Sequence, residues 1–228
     1  MLKLYYNTGP NPMKVALFLE EAELEYEAIP LDTRKGDQHQ ANYLAINPNA
    51  KAPTLVDDDT VIFDSNAILI YLAEKTGYFG SGTSLAERGE LLSWLMFVAS
   101  GVGPYSGQAV HFKVYAPEEY PYSLNRYDFE ARRHFQILNE RLATRRYMLG
   151  DNYTLVDMAV WGWARIITRV INEEAAQQMV HLKRLVNEID SRSAAGKVQE
   201  LLARHSFKTD MDTEAHQHMF PSNAPLLS

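Results

Sequence analysis

The chain changes its periodicity once. Up to residue 77 short alternating apolar runs interleave with helical ones; beyond it the alternation stops and the periodic segments all have helical spacing. One sheet cannot absorb both halves. The pattern predicts a small mixed α/β domain over 1–77, a Gly- and Ser-rich linker over 78–86, an all-α domain over 87–205 and a polar, irregular tail over 206–228.

Within the first part, "LKLYY" (2–6) and "YEAIPLD" (26–32) read as strands. "APTLVDDDTVIF" (52–63) reads as a hairpin around its aspartates. "PMKVALFLEEAEL" (12–24) reads as a helix with Val15, Phe18, Leu19 and Ala22 inward and Lys14 off that face. "DSNAILIYLAEKTG" (64–77) is a second helix, stopped by Gly77. Residues 33–49 are polar and partly helical at most, so the order is βαβαββα. Helices are expected over 86–100, 125–143, 154–171, 179–190 and 193–205.

Composition narrows the classes. The chain has 228 residues, 46% hydrophobic and 22% charged, which suits a folded soluble protein. No apolar run approaches the ~20 residues of a membrane span, and no leader pattern opens the sequence, so a cytoplasmic location is expected. A net charge of −7 argues against a nucleic-acid partner. There is no cysteine, which removes disulfides, thiolate metal sites and a protein thiol nucleophile together. Thiol chemistry here has to use a thiol carried in by a substrate.

Three stretches carry polar groups in chemically useful places. "NTGPNPMKV" (7–15) puts Thr8 and Asn11 at a helix start. "INPNAKAPTL" (46–55) puts Pro53 at a strand opening, which suggests a sheet edge. A cis bond there would let Ala52 offer its N–H and C=O to an extended peptide. "FDSNAI" (63–68) fits an ordinary N-cap of about 1 kcal/mol. A helix start is also an anion site, where Ser65 could take a carboxylate and Asp64 an ammonium. Together they describe a site for a small thiol peptide.

These residues carry a resemblance. The element order with "NPNAKAP" and "DSNAI" is similar to the thioredoxin-like domain of cytosolic glutathione transferases, and the second half to their all-α domain. "LYYNTGPNPMKVALFLEEAELEYE", "INPNAKAPTLV" and "AILIYLAEKTG" most resemble the bacterial Nu-class-like transferases, which include glutathione-dependent disulfide-bond reductases. The resemblance spans roughly residues 2–200. It implies a cis-proline at Pro53, Ala52 pairing the cysteine backbone of glutathione, Asp64 and Ser65 on its γ-glutamyl end, and Lys51 near its glycyl end. Asn11 matches the asparagine near the sulfur. The class has a threonine two places before that asparagine, where this chain has Gly9 and carries Thr8 one residue earlier. Arg126 matches an arginine that reaches glutathione across a homodimer interface.

Of the remaining candidates, Tyr5 fits a packing role. Thr154 and Asp157 have capping-box spacing. "PYSGQAVHFKVY" (104–115) offers Gln108, His111 and Phe112 either for an electrophile pocket or for packing between helices. His205, His216 and His218 read as tail residues and not as a metal site. The resulting expectation is a homodimeric glutathione-dependent enzyme with glutathione as co-substrate and no metal, acting by thiol–disulfide exchange or by conjugation to small electrophiles. The alternative is a non-catalytic glutathione-binding or interaction module of the same fold.

Overall fold

The computed structural model describes residues 1–80, 82 and 84–226, with backbone alone for 224–226. The expected linker and tail therefore lie partly outside the described residues, at 81, 83, 227 and 228. The α/β part runs β1 (Leu2–Tyr6), α1 (Pro10–Glu21), β2 (Tyr26–Pro30), α2 (Ala41–Leu44), β3 (Thr54–Asp57), β4 (Thr60–Phe63) and α3 (Ser65–Thr76). The sheet order is β2-β1-β3-β4, with β1 and β2 parallel and the other pairs antiparallel. Alternation sets the faces of β1: Leu2, Leu4 and Tyr6 are buried while Lys3 and Tyr5 are half-exposed. Gly77 ends α3 at φ 74°, a conformation that suits a residue without Cβ.

The helical part comprises α4 (Leu85–Phe97), α5 (Gly103–Val110), α6 (Pro121–Leu142), α7 (Leu155–Ala164), α8 (Ile167–Val170), α9 (Glu173–Gln178), α10 (Val180–Asp190), α11 (Ser193–Arg204) and α12 (Thr213–Met219). Wide π turns over Val98–Val102 and His111–Tyr115 flank α5, so 98–115 is helical almost throughout. α6 begins at Pro121, where a proline lacks nothing the helix needs, and Arg126 thus sits in the second turn and not at the start. The helix expected over 154–171 breaks after Ala164, because Ile166 leaves the helical range at φ −113° and ψ 19°.

The expected irregular tail is folded. Asp212 caps α12 by accepting from the N–H of Ala215 at 2.8 Å. The Thr154–Asp157 box is present: Asp157 accepts from the Thr154 N–H and hydroxyl, and also from the Met148 N–H at 2.7 Å.

The core runs unbroken between the two parts. α1 is buried on every residue from Pro12 to Leu19, packed by the sheet and by α3, α7 and α11. Gly162 allows the α1–α7 approach: a Cβ there would stand 2.7 Å from the Pro10 carbonyl oxygen. That approach also overturns the expected position of Lys14. Its face of α1 is covered by α7, and the side chain is fully buried.

Candidate functional site

The loop between β1 and α1 is set by its own residues. Asn7 Oδ1 accepts from the Gly9 N–H at 2.9 Å, turning the chain into Pro10. The first turn of a helix normally leaves several main-chain donors unpaired. Here Gly9 is already paired, Pro10 and Pro12 have no N–H, and Met13 bonds to the Gly9 carbonyl at 3.2 Å. The N–H of Asn11 is the one uncommitted main-chain donor of that turn among the described residues. The Asn11 side chain is anchored from behind, its Oδ1 accepting from Trp163 Nε1 at 3.2 Å. The carboxamide NH2 therefore remains available to donate. Thr8 is exposed, and its carbonyl accepts a long 3.4 Å bond from Arg165 Nη2.

The second candidate stretch is the 47–54 loop. The Ala52–Pro53 bond is cis. The Lys51 carbonyl accepts from Tyr43 Oη and from Asn47 Nδ2, each at 2.7 Å. Both groups also reach Thr54 Oγ1 at 2.8 Å, so the loop is held from beneath. Lys51 itself is exposed. The expected sheet edge is corrected: β3 lies inside the sheet, between β1 and β4. Ala52 keeps its backbone groups unpaired because β3 begins only at Thr54.

The third candidate stretch is the start of α3. Asp64 caps it at φ 70°, an unusual conformation for a non-glycine residue, and its Oδ1 accepts from the Asn66 and Ala67 N–H groups at 2.8 and 3.1 Å. Asp64 thus does the ordinary capping work and still presents its second oxygen at an exposed position. Ser65 is nearly buried. Beneath it, Lys14 Nζ donates to Asn66 Oδ1 at 2.8 Å. Burial lowers the Lys14 pKa to about 7, partly offset by the Asp64 charge.

Beside the first loop opens a cavity of about 350 Å³. Its lining includes Thr8 and Gly9 from the loop, Thr33 and Arg34 after β2, Val110 at the end of α5 with His111 and Tyr115 beyond it, Trp163 and Arg169, and Phe207, Met219 and Phe220 from the tail. Of the three residues expected in a pocket, His111 lines it. Gln108 is exposed outside it, and Phe112 stacks on Tyr127 at 5.4 Å. Burial and the neighbouring His216 lower the His111 pKa.

The tail closes this cavity by crossing both parts of the molecule. Asp32 Oδ2 accepts from the Lys208 N–H at 2.7 Å, Arg34 donates to the Lys208 carbonyl at 2.9 Å, and Gln38 Nε2 donates to the His218 carbonyl at 2.9 Å. On the other side Phe220 packs on His111 with ring centres 4.6 Å apart, and His216 Nε2 bonds the Tyr115 carbonyl at 2.9 Å. These partners are far apart in sequence, and no local pattern announces them.

Neither early tyrosine lines the cavity. The Tyr6 hydroxyl donates to the Leu201 carbonyl at 3.2 Å and meets His205 Nδ1 at 2.8 Å, while Tyr5 packs on Tyr43 at 5.6 Å. Arg126 is exposed and bonds Glu130 Oε1 at 2.9 Å. Among the described residues no group of three His, Cys, Asp or Glu side chains could hold a metal ion, and no helix is long and apolar enough to cross a membrane.

A thioredoxin-like sheet with a cis-proline loop and capped helix starts, followed by a helical bundle, defines the class of protein. Comparison with known families narrows it. The pattern described as "Glutathione S-transferase, N-terminal domain" matches residues 1–74, and its C-terminal counterpart matches residues 110–193. The chain belongs to the glutathione S-transferase family. It is 41% identical over 204 residues to the disulfide-bond oxidoreductase YfcG of Escherichia coli, covering 86% of this chain and 94% of that one. It is 35% identical to the E. coli disulfide-bond oxidoreductase YghU, covering 85% and 72%. Among solved structures, a glutathione transferase of Burkholderia graminis with two glutathione molecules bound per subunit superposes with a TM-score of 0.83 at 32% identity, covering 90% of this chain and 89% of that one. A Pseudomonas fluorescens family member with two glutathiones bound gives 0.80 at 34% identity, covering 87% and 92%.

Proposed function

We propose that this chain is a glutathione-dependent disulfide-bond reductase. Glutathione lies along the groove with its cysteine backbone on Ala52, its γ-glutamyl carboxylate on Ser65 at the start of α3, its ammonium on Asp64, and its glycyl end near Lys51. This places the sulfur at the start of α1, before Asn11 and Thr8. A free thiol of pKa about 8.5 is mostly protonated at neutral pH, and a helix start with aimed donors favours the thiolate. The bound thiolate attacks one sulfur of a disulfide RS–SR, forming GS–SR and releasing RS⁻, which takes a proton from solvent. A second glutathione thiolate attacks the mixed disulfide, giving GS–SG and the second RS⁻. Two thiols are oxidised for each disulfide reduced, and the protein supplies no sulfur of its own.

The observation that carries this reading is the pairing of zero cysteines with a cavity lined by Thr8 and Gly9 of the first loop. The names of the relatives and the two glutathiones bound in each of the two neighbours support it. Conjugation to small electrophiles is the second reading, favoured by the apolar tail wall of Phe207, Met219 and Phe220. The same reading has the protein act in the cytoplasm as a homodimer with Arg126 near its partner's groove. Exposed Phe129 and Tyr122 on the same helix, and the unpaired edge strand β4, give a second copy something to cover. The deciding test is a steady-state assay coupled to glutathione reductase, with bis(2-hydroxyethyl) disulfide and an aromatic halide compared side by side. Asn11→Ala should lower kcat/KM for the disulfide about 10-fold or more, and Thr8→Ala less. Halide conjugation without disulfide turnover would overturn the reading.

A further inference from the structure

Three contacts from one short stretch of the helical part back the first loop. Gly162 lets α7 press against the Pro10 carbonyl, Trp163 donates its indole N–H to Asn11 Oδ1, and Arg165 reaches the Thr8 carbonyl. The bond from Trp163 matters most, because it resolves an ambiguity intrinsic to asparagine. A carboxamide can turn either its oxygen or its NH2 outward, and the two choices have opposite effects on an anion. The indole is a donor only, so the group facing it must be the oxygen. The NH2 is thereby left without a protein partner, on the same residue that holds the uncommitted main-chain N–H of the turn. Trp163 is itself nearly buried and lines the cavity, so its orientation is fixed by packing.

We propose that Trp163 is a positioning residue for the reaction: its indole N–H locks the Asn11 carboxamide with the NH2 toward the glutathione sulfur. The inference rests on the proposed glutathione chemistry at Asn11. Removing the indole N–H while keeping an aromatic ring lets the carboxamide flip, and its carbonyl oxygen then repels the thiolate.

Four enzymes test this: wild type, Asn11→Ala, Trp163→Phe and the double variant. Trp163→Phe should lower kcat/KM for bis(2-hydroxyethyl) disulfide about 5- to 10-fold and raise the pKa of enzyme-bound glutathione, read from ultraviolet thiolate absorbance. The KM for glutathione should hold within about twofold, and in the Asn11→Ala background the same change should cost less than about twofold. A full additional loss in the double variant, or an unmoved thiol pKa, overturns the role of Trp163 while leaving the reductase reading intact. An Asn11→Ala enzyme with wild-type disulfide turnover overturns both. Should Trp163→Phe fail to fold, the indole proton resonance of Trp163 decides the geometry from the other side. It should shift in Asn11→Ala, and an unchanged resonance overturns the bond.

Discussion

Lys14 Nζ donates to Asn66 Oδ1 at 2.8 Å, and this one bond joins the helix that starts at the sulfur loop to the helix that starts at Ser65. In the proposed complex one helix start faces the sulfur and the other the γ-glutamyl end of the same glutathione. Their relative position therefore depends on a lysine with no exposed surface.

That lysine makes stability depend on pH. In the fold its pKa lies near 7, whereas an unfolded chain returns it to 10.5. Between these values the unfolded state binds the extra proton, so stability rises with pH, and below about 7 the cost of burying the charge is complete. The slope from one such group is at most about 1.4 kcal/mol per pH unit. Urea melts of wild type and Lys14→Met at pH 6.5 and 8.5 should differ in that slope, with the methionine variant flatter. Equal slopes would refute the assignment.

Ser65→Ala should weaken glutathione binding by about 1–3 kcal/mol, because a charged carboxylate then loses a hydrogen bond in a nearly closed position. Calorimetry with reduced and oxidised glutathione measures it. Full affinity in the variant would place the γ-glutamyl end elsewhere.

Asp157 is fully buried with its pKa raised to about 6 by burial, against three hydrogen bonds that favour the carboxylate. Since the folded value exceeds the unfolded one, the folded state takes up the proton first. This group's contribution is therefore most favourable at low pH and declines as pH rises from about 4 to about 6. Asp157→Asn keeps the size but turns an NH2 toward one of the N–H groups it faced. Thermal or chemical melts at pH 7 should lose about 1–3 kcal/mol, with little change in KM for glutathione.

Phe220→Ala should open the cavity wall that packs on His111 and Tyr115. The KM for a disulfide substrate should change by about 3- to 10-fold while that for glutathione stays within about twofold. Equal changes in both would mean that the tail supports the fold and does not shape the second-substrate site.

What the sequence disclosed follows from how local each signal is. The alternation of Leu2, Leu4 and Tyr6, the stop at Gly77 and the Thr154–Asp157 box all act within a few residues, and each is present in the fold. Lys14 was misplaced because its burial depends on α7, some 150 residues downstream, approaching through Gly162. The 98–115 helix was obscured by glycines and a proline that tertiary packing overrides. His111 and Phe112 are chain neighbours with the same sequence credentials; only the packing of Tyr127 and Phe220 sends one to a stack and the other to the cavity.

The burial of α1 on all its sides changes what the linker means. A recombination breakpoint near residue 80 looks safe on the sequence, since it falls between an α/β pattern and a helical one. It would nevertheless cut the first helix off from α7 and α11, leaving Lys14 without the cover that α7 gives it at Gly162. The two halves are heritable only together: a foreign helical half is compatible with this sheet only if it brings a small residue where Gly162 stands and an indole where Trp163 stands.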